Sequence, residues 1–454
     1  MTIRCAARVN LLIYGRGNAM ETRRKTTRVA VIDGCRTPFL RSGTGYYDLM
    51  AWELGRWAVK GLIAKTGVDQ DAIDHVIMGT VASDIATTNV AREIMLGAGL
   101  PNSIPAHTCT VACISANAAI TSGYEMICSG NADAVIAGGT ESFSDPDIKI
   151  SKKFRRLILD MTMYRRPKSL TGKLRLFKGM RPADFIIPES PALGEYATRL
   201  TMGQTADRLA KRLGISREDQ DSYAALSHQR AVDAAIAGKL KNEIVPVVAP
   251  GANAIVSDNG PRSDAKYDTL LRLRPAFYKK HGTVTAGNSS FLTDGASAVL
   301  LMNEDKAKAL GLKPKAYIHT YAYTAQDPWE ELLLGPAFAI AGLLRKVGLE
   351  LSEIGVFEIH EAFSAQMLAN LRCLDSNEFC AARLGLPAKI GQIEMHRLNV
   401  YGGSLSLGHP FGATGGRLLT TCINRLNETK EQFGIIAGCA AGAVGNAILL
   451  ENAA

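Results

Sequence analysis

Two stretches of the chain repeat the same order of apolar and polar positions. Residues 61–79 and 342–360 align without gaps at a separation of 281 residues, with identical Gly, Leu, Lys, Gly and Ile at five places. Each copy reads as the end of a helix, a glycine that stops it, and an apolar run of strand length. The pattern predicts one helix-glycine-strand unit that occurs twice.

A second apolar repeat lies at a separation of 300 residues. Residues 134–139 and 434–439 are both apolar runs, and each follows a helical stretch of small and apolar residues. The same separation relates a helix start at Cys113 to one near Ala413. Two copies of such a unit predict an α/β fold with two pseudo-symmetric βαβαβ-type lobes packed together.

The repeat also predicts how the chain divides into domains. The two lobes are separated by an insertion that we expect to be a mostly helical loop domain. The predicted division is an N-terminal extension at 1–26, an N-terminal lobe at 27–144 plus 283–310, the loop domain at 145–282, and a C-terminal lobe at 311–454.

The composition excludes several classes of protein. The chain has 454 residues, 47% hydrophobic and 21% charged, which rules out disordered, collagen-like and low-complexity chains. No apolar run approaches the roughly 18 residues of a membrane span. Nine cysteines without any CxxC pair predict neither a disulfide scaffold nor a zinc ribbon, and they fit a reducing compartment.

The first 26 residues are rich in Arg and Lys, and Glu21 is their only acidic residue. Such a composition is typical of an organellar transit peptide, but it also fits a start codon placed too early, with Met20 as the true beginning. We expect the protein in the bacterial cytoplasm, with the mitochondrial matrix as the alternative.

Positive charge is concentrated in one segment. The net charge is +9, and residues 149–181 carry twelve Lys and Arg against Asp160 alone. Apolar residues alternate with these charges, so the segment is predicted to be an amphipathic helix that suits an anionic lipid surface or a polyphosphate ligand. The alternative is a solvated basic face that packs on its own protein. A single basic segment does not predict a nucleic-acid-binding protein.

Four residues with reactive side chains lie at related points of the repeat: Cys113, His360, His409 and Cys439. Helix starts and strand ends are where α/β lobes bind ligands. A helix start lowers the pKa of a thiol, and a thiolate beside a histidine is a nucleophile. One cysteine alone is more often a small buried apolar residue. Two cysteines and two histidines at related points instead favour an active site.

Long motifs around these residues resemble the thiolase family. They are Arg36-Thr-Pro-Phe39, Gly282-Thr-Val-Thr-Ala-Gly-Asn-Ser-Ser-Phe-Leu-Thr-Asp-Gly-Ala296, His360-Glu-Ala-Phe363 and Tyr401-Gly-Gly-Ser-Leu-Ser-Leu-Gly-His-Pro410. The resemblance extends from about Arg28 to Asn452, and it is closest to the 3-ketoacyl-CoA thiolases of fatty-acid β-oxidation, of the trifunctional-enzyme β-subunit type. It implies a thiolase-like fold.

The resemblance also implies a role for each reactive residue. Cys113 would be the acylated nucleophile, His409 would activate it, and Cys439 would be the second acid/base. His360 would help to form an oxyanion hole; most thiolases carry Asn there, and His is typical of the trifunctional type. The backbone N–H groups of Cys113 and Ala441 would form a second oxyanion hole. The residues that bind coenzyme A remain unassigned.

One stretch departs from the family pattern. Where thiolases usually have a run of glycines after the second cysteine, this chain has Ala440-Ala441-Gly442-Ala443-Val444-Gly445. A backbone N–H does not depend on its side chain, so Ala441 still serves as a donor. Ala443 and Val444 leave less room, which affects the size of the substrate rather than the reaction.

The predicted function is cleavage of 3-ketoacyl-CoA by CoA, which gives acetyl-CoA and an acyl-CoA two carbons shorter through an acyl-cysteine. CoA is a co-substrate, and neither a metal nor another cofactor is expected. The alternatives are a short-chain acetyl-CoA acetyltransferase working in condensation, a decarboxylating ketoacyl synthase, and a non-catalytic acyl-CoA carrier. Expected partners are a second copy of the chain or a higher oligomer, a hydratase/dehydrogenase α subunit, and an anionic membrane that contacts 149–181.

Overall fold

The computed structural model describes residues 27–147, 150–186, 194–249, 251 and 253–454. The predicted N-terminal extension, 1–26, lies outside the described residues. Within the described ranges, no helix combines the length and the apolar character that crossing a bilayer requires.

Ten strands form one mixed sheet in the described part of the chain. Its order is β4-β3-β5-β6-β1-β7-β10-β9-β8, and β2 pairs with β6 beside this path. The strands are β1 (Val29–Arg36), β2 (Leu40–Arg41), β3 (His75–Gly79), β4 (Ala106–Cys109), β5 (Ala134–Glu141), β6 (Thr293–Asn303), β7 (Ala316–Ala325), β8 (Ile354–Ile359), β9 (Phe433–Ala440) and β10 (Val444–Asn452).

The two halves of the sheet have the same topology. In the first half β3-β5-β6-β1 are neighbours, and in the second half β8-β9-β10-β7 are neighbours in the same sense. The first pair of each set is parallel and the other two pairs are antiparallel. The predicted pseudo-symmetric lobes are therefore confirmed. The halves join where β1 pairs with β7, and β4 is an additional edge strand of the first half.

Fifteen α-helices are described: α1 (Ala51–Thr66), α2 (Val90–Ala98), α3 (Ser115–Cys128), α4 (Lys152–Thr162), α5 (Leu170–Leu176), α6 (Pro182–Ile186), α7 (Met202–Arg212), α8 (Arg217–Ile236), α9 (Tyr267–Leu270), α10 (Glu304–Ala309), α11 (Gly335–Val347), α12 (Ser364–Leu374), α13 (Asn377–Phe379), α14 (Ser404–Leu407) and α15 (Thr414–Thr429). The repeat predicted the ends of α1 and α11 correctly. Gly67 and Gly348 follow them at φ +65° and +71°, a left-handed conformation that suits glycine, and a strand comes next in each copy.

Glycine lets the two lobes approach each other closely. A Cβ atom on Gly139, in β5, would lie 1.8 Å from the carbonyl oxygen of Gly412, which precedes α15. A Cβ atom on Gly415, in the first turn of α15, would lie 2.1 Å from Oδ1 of Asn117 in α3. The starts of α3 and α15, one from each lobe, therefore meet with almost no side chain between them.

The insertion leaves the sheet at the end of β5 and returns at β6. It contains α4 to α9, so its helical character is as predicted. The basic segment is not one amphipathic helix, however. It contains two short helices, α4 and α5, with a break near Pro167 between them, and a second break near Gly179 at φ +83° separates α5 from α6, which begins just after the segment. Proline lacks the N–H that a continuing helix needs, and glycine adopts the left-handed turn. The domain boundaries themselves stay a prediction.

We expect Gly139→Ala to destabilise the protein strongly. The new methyl group meets a backbone carbonyl at the lobe contact, and overpacking typically costs about 1–3 kcal/mol, with the upper end expected where the neighbour is backbone. The free energy of unfolding from urea titration measures the effect. Gly342→Ala is the matched control, because a Cβ there has no neighbour within 4 Å. In the interior of α11 that change is expected to stabilise by about 0.5–1 kcal/mol. Equal stability of Gly139→Ala and the parent would contradict the tight lobe contact.

Candidate active site

Cys113 lies in a tight turn just before α3. The helix begins at Ser115, two residues later than the sequence pattern suggested. Ala112 has φ +43°, an uncommon value for a residue other than glycine. The Ser115 hydroxyl holds the turn, since it accepts a hydrogen bond from Val111 N at 2.9 Å and donates to Ala112 O at 2.7 Å. As a whole residue, Cys113 is partly buried.

His409 lies in the corresponding loop before α15 and is buried. Its Nδ1 is 2.6 Å from the Thr414 hydroxyl oxygen, and that hydroxyl donates its single hydrogen to Pro410 O at 3.0 Å. The hydroxyl oxygen therefore accepts from Nδ1–H, which places the lone pair of a neutral ring on Nε2. Nε2 is buried and has no hydrogen-bond partner. This nitrogen is available as a base.

His360 follows the last residue of β8 and is also buried. Its Nδ1 is 2.9 Å from the Ser404 hydroxyl oxygen, and its Nε2 has no partner. The rings of His360 and His409 have centroids 3.9 Å apart. One ring nitrogen from each histidine and the Cys113 sulfur lie within 4.8 Å of one another. Three of the four predicted side chains are thus gathered at one point.

Cys439 and the loop after it complete the surroundings of Cys113. Cys439 is buried in β9, and burial raises the pKa of its thiol, which the nearby Cys113 raises further. The backbone N–H groups of Cys113 itself and of Ala441 lie near the Cys113 thiol and lower its pKa. That these two groups form an oxyanion hole stays a prediction.

Burial disfavours the charged forms of the reactive groups. Burial raises the pKa of Cys113 to about 12, and Glu141 raises it as well. Burial lowers the pKa of His360 to about 3, and it lowers that of His409 well below the usual value. The expectation of a thiolate stabilised by the helix start is therefore wrong, because desolvation outweighs the backbone donors. The thiol must give up its proton as it attacks.

Several residues that position these groups had no role in the sequence prediction. Thr414 and Ser404 lie inside the motifs that carried the resemblance, but nothing in their spacing marked them as partners of the histidines. Glu361 is buried and accepts hydrogen bonds from Tyr223, Ser227 and Asn399 at 2.7–2.9 Å, as well as from Leu405 N at 3.2 Å. It fixes the chain beside Ser404. A buried carboxyl group with this many donors is recognisable only in the folded chain.

The inserted loop domain reaches the active-site loop. Glu195 accepts a hydrogen bond from the N–H of Gly442 at 2.6 Å, next to Ala441. The insertion also has two cavities lined in part by basic side chains, with volumes of about 430 and 290 Å³. The first is lined by Arg208, Lys211, Lys279 and Lys280 among others, and the second by Arg262 and Lys266 among others. Such cations suit the phosphate groups of a nucleotide-containing ligand.

The trio of Cys113, His360 and His409 is also a possible donor set for a metal ion. Thiolate and imidazole are the ligands that zinc prefers. Both Nδ1 atoms are hydrogen-bonded to hydroxyl groups, and both Nε2 atoms have no partner. The same three side chains also offer a nucleophile, a base and a hydrogen-bond donor around one reacting carbon.

Comparison with known proteins identifies the class of protein. The chain matches Thiolase, N-terminal domain over residues 29–305 and Thiolase, C-terminal domain over residues 312–452. It belongs to the thiolase family, and as a thiolase it is an acyltransferase.

Several individual thiolases are similar to this chain over nearly its whole length. The chain is 48% identical to the bovine mitochondrial trifunctional enzyme subunit beta, over 95% of this chain and 91% of that protein. It is 42% identical to the 3-ketoacyl-CoA thiolase of Yersinia pestis, over 94% and 98%. The crystal structure of human mitochondrial 3-ketoacyl-CoA thiolase superposes with a TM-score of 0.80 at 30% identity, covering 94% of this chain and all of that one.

The buried histidines predict a loss of stability in mild acid. In the unfolded chain each histidine binds a proton near pH 6.5, whereas the folded protein resists protonation of His360 down to about pH 3. The contribution of His360 to stability is therefore fully present above pH 6.5 and is lost as the pH drops toward 3, with a loss of about 2 kcal/mol at pH 5. Between pH 7.5 and 5, we expect the free energy of unfolding of His360→Asn to fall by about 2 kcal/mol less than that of the parent. Urea unfolding at both pH values measures it.

The control is His396→Asn, because the His396 side chain is 72% exposed. This variant should show the same loss of stability in acid as the parent. An acid loss in His360→Asn as large as that of the parent would mean that folding does not lower the pKa of His360.

Proposed function

We propose that the chain is a 3-ketoacyl-CoA thiolase that works in fatty-acid β-oxidation. It cleaves 3-ketoacyl-CoA with CoA and yields acetyl-CoA and an acyl-CoA two carbons shorter. The observation that carries the proposal is the convergence of Cys113, His409 and His360, with Cys439 close to Cys113. Relatives named 3-ketoacyl-CoA thiolase, at 42–47% identity over nearly the whole chain, support it.

In the first half-reaction Cys113 attacks the C3 ketone carbon of the substrate. His409 Nε2 takes the thiol proton as the C–S bond forms, since neither group is charged beforehand. The N–H groups of Cys113 and Ala441 stabilise the oxygen on C3. The C2–C3 bond then breaks, and its electron pair becomes the enolate of acetyl-CoA. His360 stabilises the enolate oxygen, and Cys439 protonates C2.

In the second half-reaction the thiol of CoA attacks the acyl group on Cys113. Cys439, now a thiolate, takes the proton of CoA, and His409 returns its proton to Cys113 as the C–S bond breaks. All groups then regain their starting protonation states. Because acetyl-CoA leaves before the second CoA reacts, the kinetics are ping-pong. The proposal includes no metal and no cofactor besides CoA as co-substrate.

The role of Cys439 separates a thiolase from a decarboxylating synthase, which has no need of a second thiol. We expect Cys439→Ala to slow thiolysis by about 10² to 10⁴, the usual contribution of a general acid/base. Intact mass spectrometry should still find an acyl group on Cys113 after exposure to a simple acyl thioester. Exchange of deuterium into C2 of acetyl-CoA should be lost. A chelator in the assay tests the absence of a required metal.

Two further variants control this experiment. Cys422→Ala removes a thiol that is equally buried, but in α15, and it should keep the parent rate. Cys113→Ser should lose both the adduct and turnover. Thiolysis by Cys439→Ala at the parent rate would make Cys439 a structural thiol, and the acid/base role proposed for it would be wrong.

We also propose that the chain works in an assembly: a homodimer or higher oligomer that binds a hydratase/dehydrogenase α subunit. Support comes from the curated relatives that are named as the beta subunit of a trifunctional enzyme. Those relatives are mitochondrial, and another is bacterial. We propose the bacterial cytoplasm for this chain, with the mitochondrial matrix as the alternative.

We further propose that α4 and α5 contact an anionic membrane surface. The connection between these helices, together with α5 itself, exposes large apolar side chains beside basic ones. Met163, Tyr164, Leu170 and Leu174 are each 60–73% exposed. Arg165, Arg166, Lys168 and Lys173 belong to the same stretch. Apolar groups that insert between headgroups and cations that attract anionic lipid are the two components of peripheral membrane binding.

We expect the double variant Leu170→Asp/Leu174→Asp to bind vesicles of phosphatidylcholine and phosphatidylserine at least about tenfold more weakly. Burying one leucine contributes about 1.5–3 kcal/mol, and the new charges repel the anionic surface. Cosedimentation measures the binding, which should weaken with added salt. Ile236→Asp, at an 81% exposed site at the end of α8, should bind like the parent. Failure of the parent to bind vesicles would refute the proposal.

A further inference from the structure

A chain of buried hydrogen bonds leads away from His360 on the side opposite Cys113. The Ser404 hydroxyl oxygen lies 2.9 Å from Nδ1 of His360 and 3.3 Å from Nη2 of Arg417. Arg417 in turn reaches Glu358 at 3.3 Å, and Glu358 also accepts from Arg425 at 2.7 Å. Ser404, Arg417 and Glu358 have no exposed surface. Water therefore does not compete for these bonds.

The direction of each bond follows from the groups involved. A guanidinium group has only N–H donors, so the Ser404 oxygen accepts from Arg417. The single hydrogen of the Ser404 hydroxyl then points to the remaining partner, Nδ1 of His360, because a buried hydroxyl hydrogen without an acceptor is unfavourable. A neutral histidine that accepts at Nδ1 carries its proton on Nε2. His360 thus presents an N–H, whereas the Thr414 contact leaves His409 with a lone pair.

We infer that Ser404 is a positioning residue, held by Arg417, that fixes His360 as the Nε2–H tautomer and so makes it a hydrogen-bond donor to the enolate oxygen. Two adjacent histidines with the same intrinsic chemistry are thereby given opposite roles. Ser404 orients the donor His360, and Thr414 orients the base His409. The role of Ser404 in turnover rests on the thiolase function proposed above, but the tautomer of His360 does not.

Steady-state kinetics on the full chain test the role of Ser404. Loss of a complete oxyanion donor slows an enzyme by about 10² to 10³. Without the Ser404 hydroxyl, His360 still carries its hydrogen on Nε2 for part of the time, so the loss of rate is smaller. We therefore expect Ser404→Ala to lower kcat for thiolysis by about tenfold, with KM changed less than about twofold. Ser404→Thr keeps the hydroxyl and should recover most of kcat. Ser406→Ala, an equally buried serine in α14, should stay within about twofold of the parent.

A double-mutant cycle separates positioning from packing. An asparagine at position 360 offers an N–H without a choice of tautomer. In the His360→Asn background, Ser404→Ala should therefore change kcat by less than about twofold. An equal loss in both backgrounds would make Ser404 a packing residue and would overturn the inference.

The tautomer can be read directly, without turnover. In the intact protein labelled with ¹⁵N-histidine, NMR should show His360 with its hydrogen on Nε2 and His409 with its hydrogen on Nδ1. The signals are assigned by their loss in His360→Asn and His409→Asn. A hydrogen on Nδ1 of His360 in the parent would overturn the inference, even if thiolysis proceeds as proposed.

Discussion

The site depends on how closely the starts of α3 and α15 meet. One helix comes from each lobe, and their contact leaves no room for a Cβ atom at Gly139 or Gly415. Glu141 locks the contact, because its buried carboxylate accepts N–H groups from Ala82 and Gly412 at 2.8 Å. Cys113 and His409 precede the two helices, so this packing brings them into reach of each other. The same burial raises the pKa of Glu141 to about 7.

Desolvation then sets the chemistry. A site this dry disfavours every isolated charge, so burial favours the neutral thiol and the neutral forms of both imidazoles. Hydrogen bonds, rather than charges, distinguish the two histidines. That division explains why buried hydroxyl groups lie behind both rings: each hydroxyl determines on which nitrogen the proton sits.

Much of this could be predicted from the sequence, and the rest could not for identifiable reasons. The repeat separations of 281 and 300 residues predicted β3, β5, β8 and β9, because apolar periodicity survives in a duplicated unit. Cys113, His360 and His409 were found as reactive residues at repeat-related points. The state of the Cys113 thiol was predicted wrongly, since burial depends on the whole fold. Ser404 and Arg417 were missed because only the tertiary structure brings them into contact with His360. The basic segment was predicted as one helix because its charge pattern was given more weight than its Pro and Gly residues.

The two halves also differ in the length of the connection between their matching antiparallel strands. In the second half β9 and β10 are joined by three residues, 441–443, and the backbone N–H of Ala441 lies near the Cys113 thiol. In the first half the matching connection is the whole insertion. Its ends leave the sheet side by side, since Glu141 pairs with Gly295. Closing a longer loop costs little once its ends are held together. The insertion could therefore lengthen or change in sequence during evolution while the β9–β10 hairpin stayed short. Substrate binding can diversify in this way without a change in the geometry of the catalytic residues.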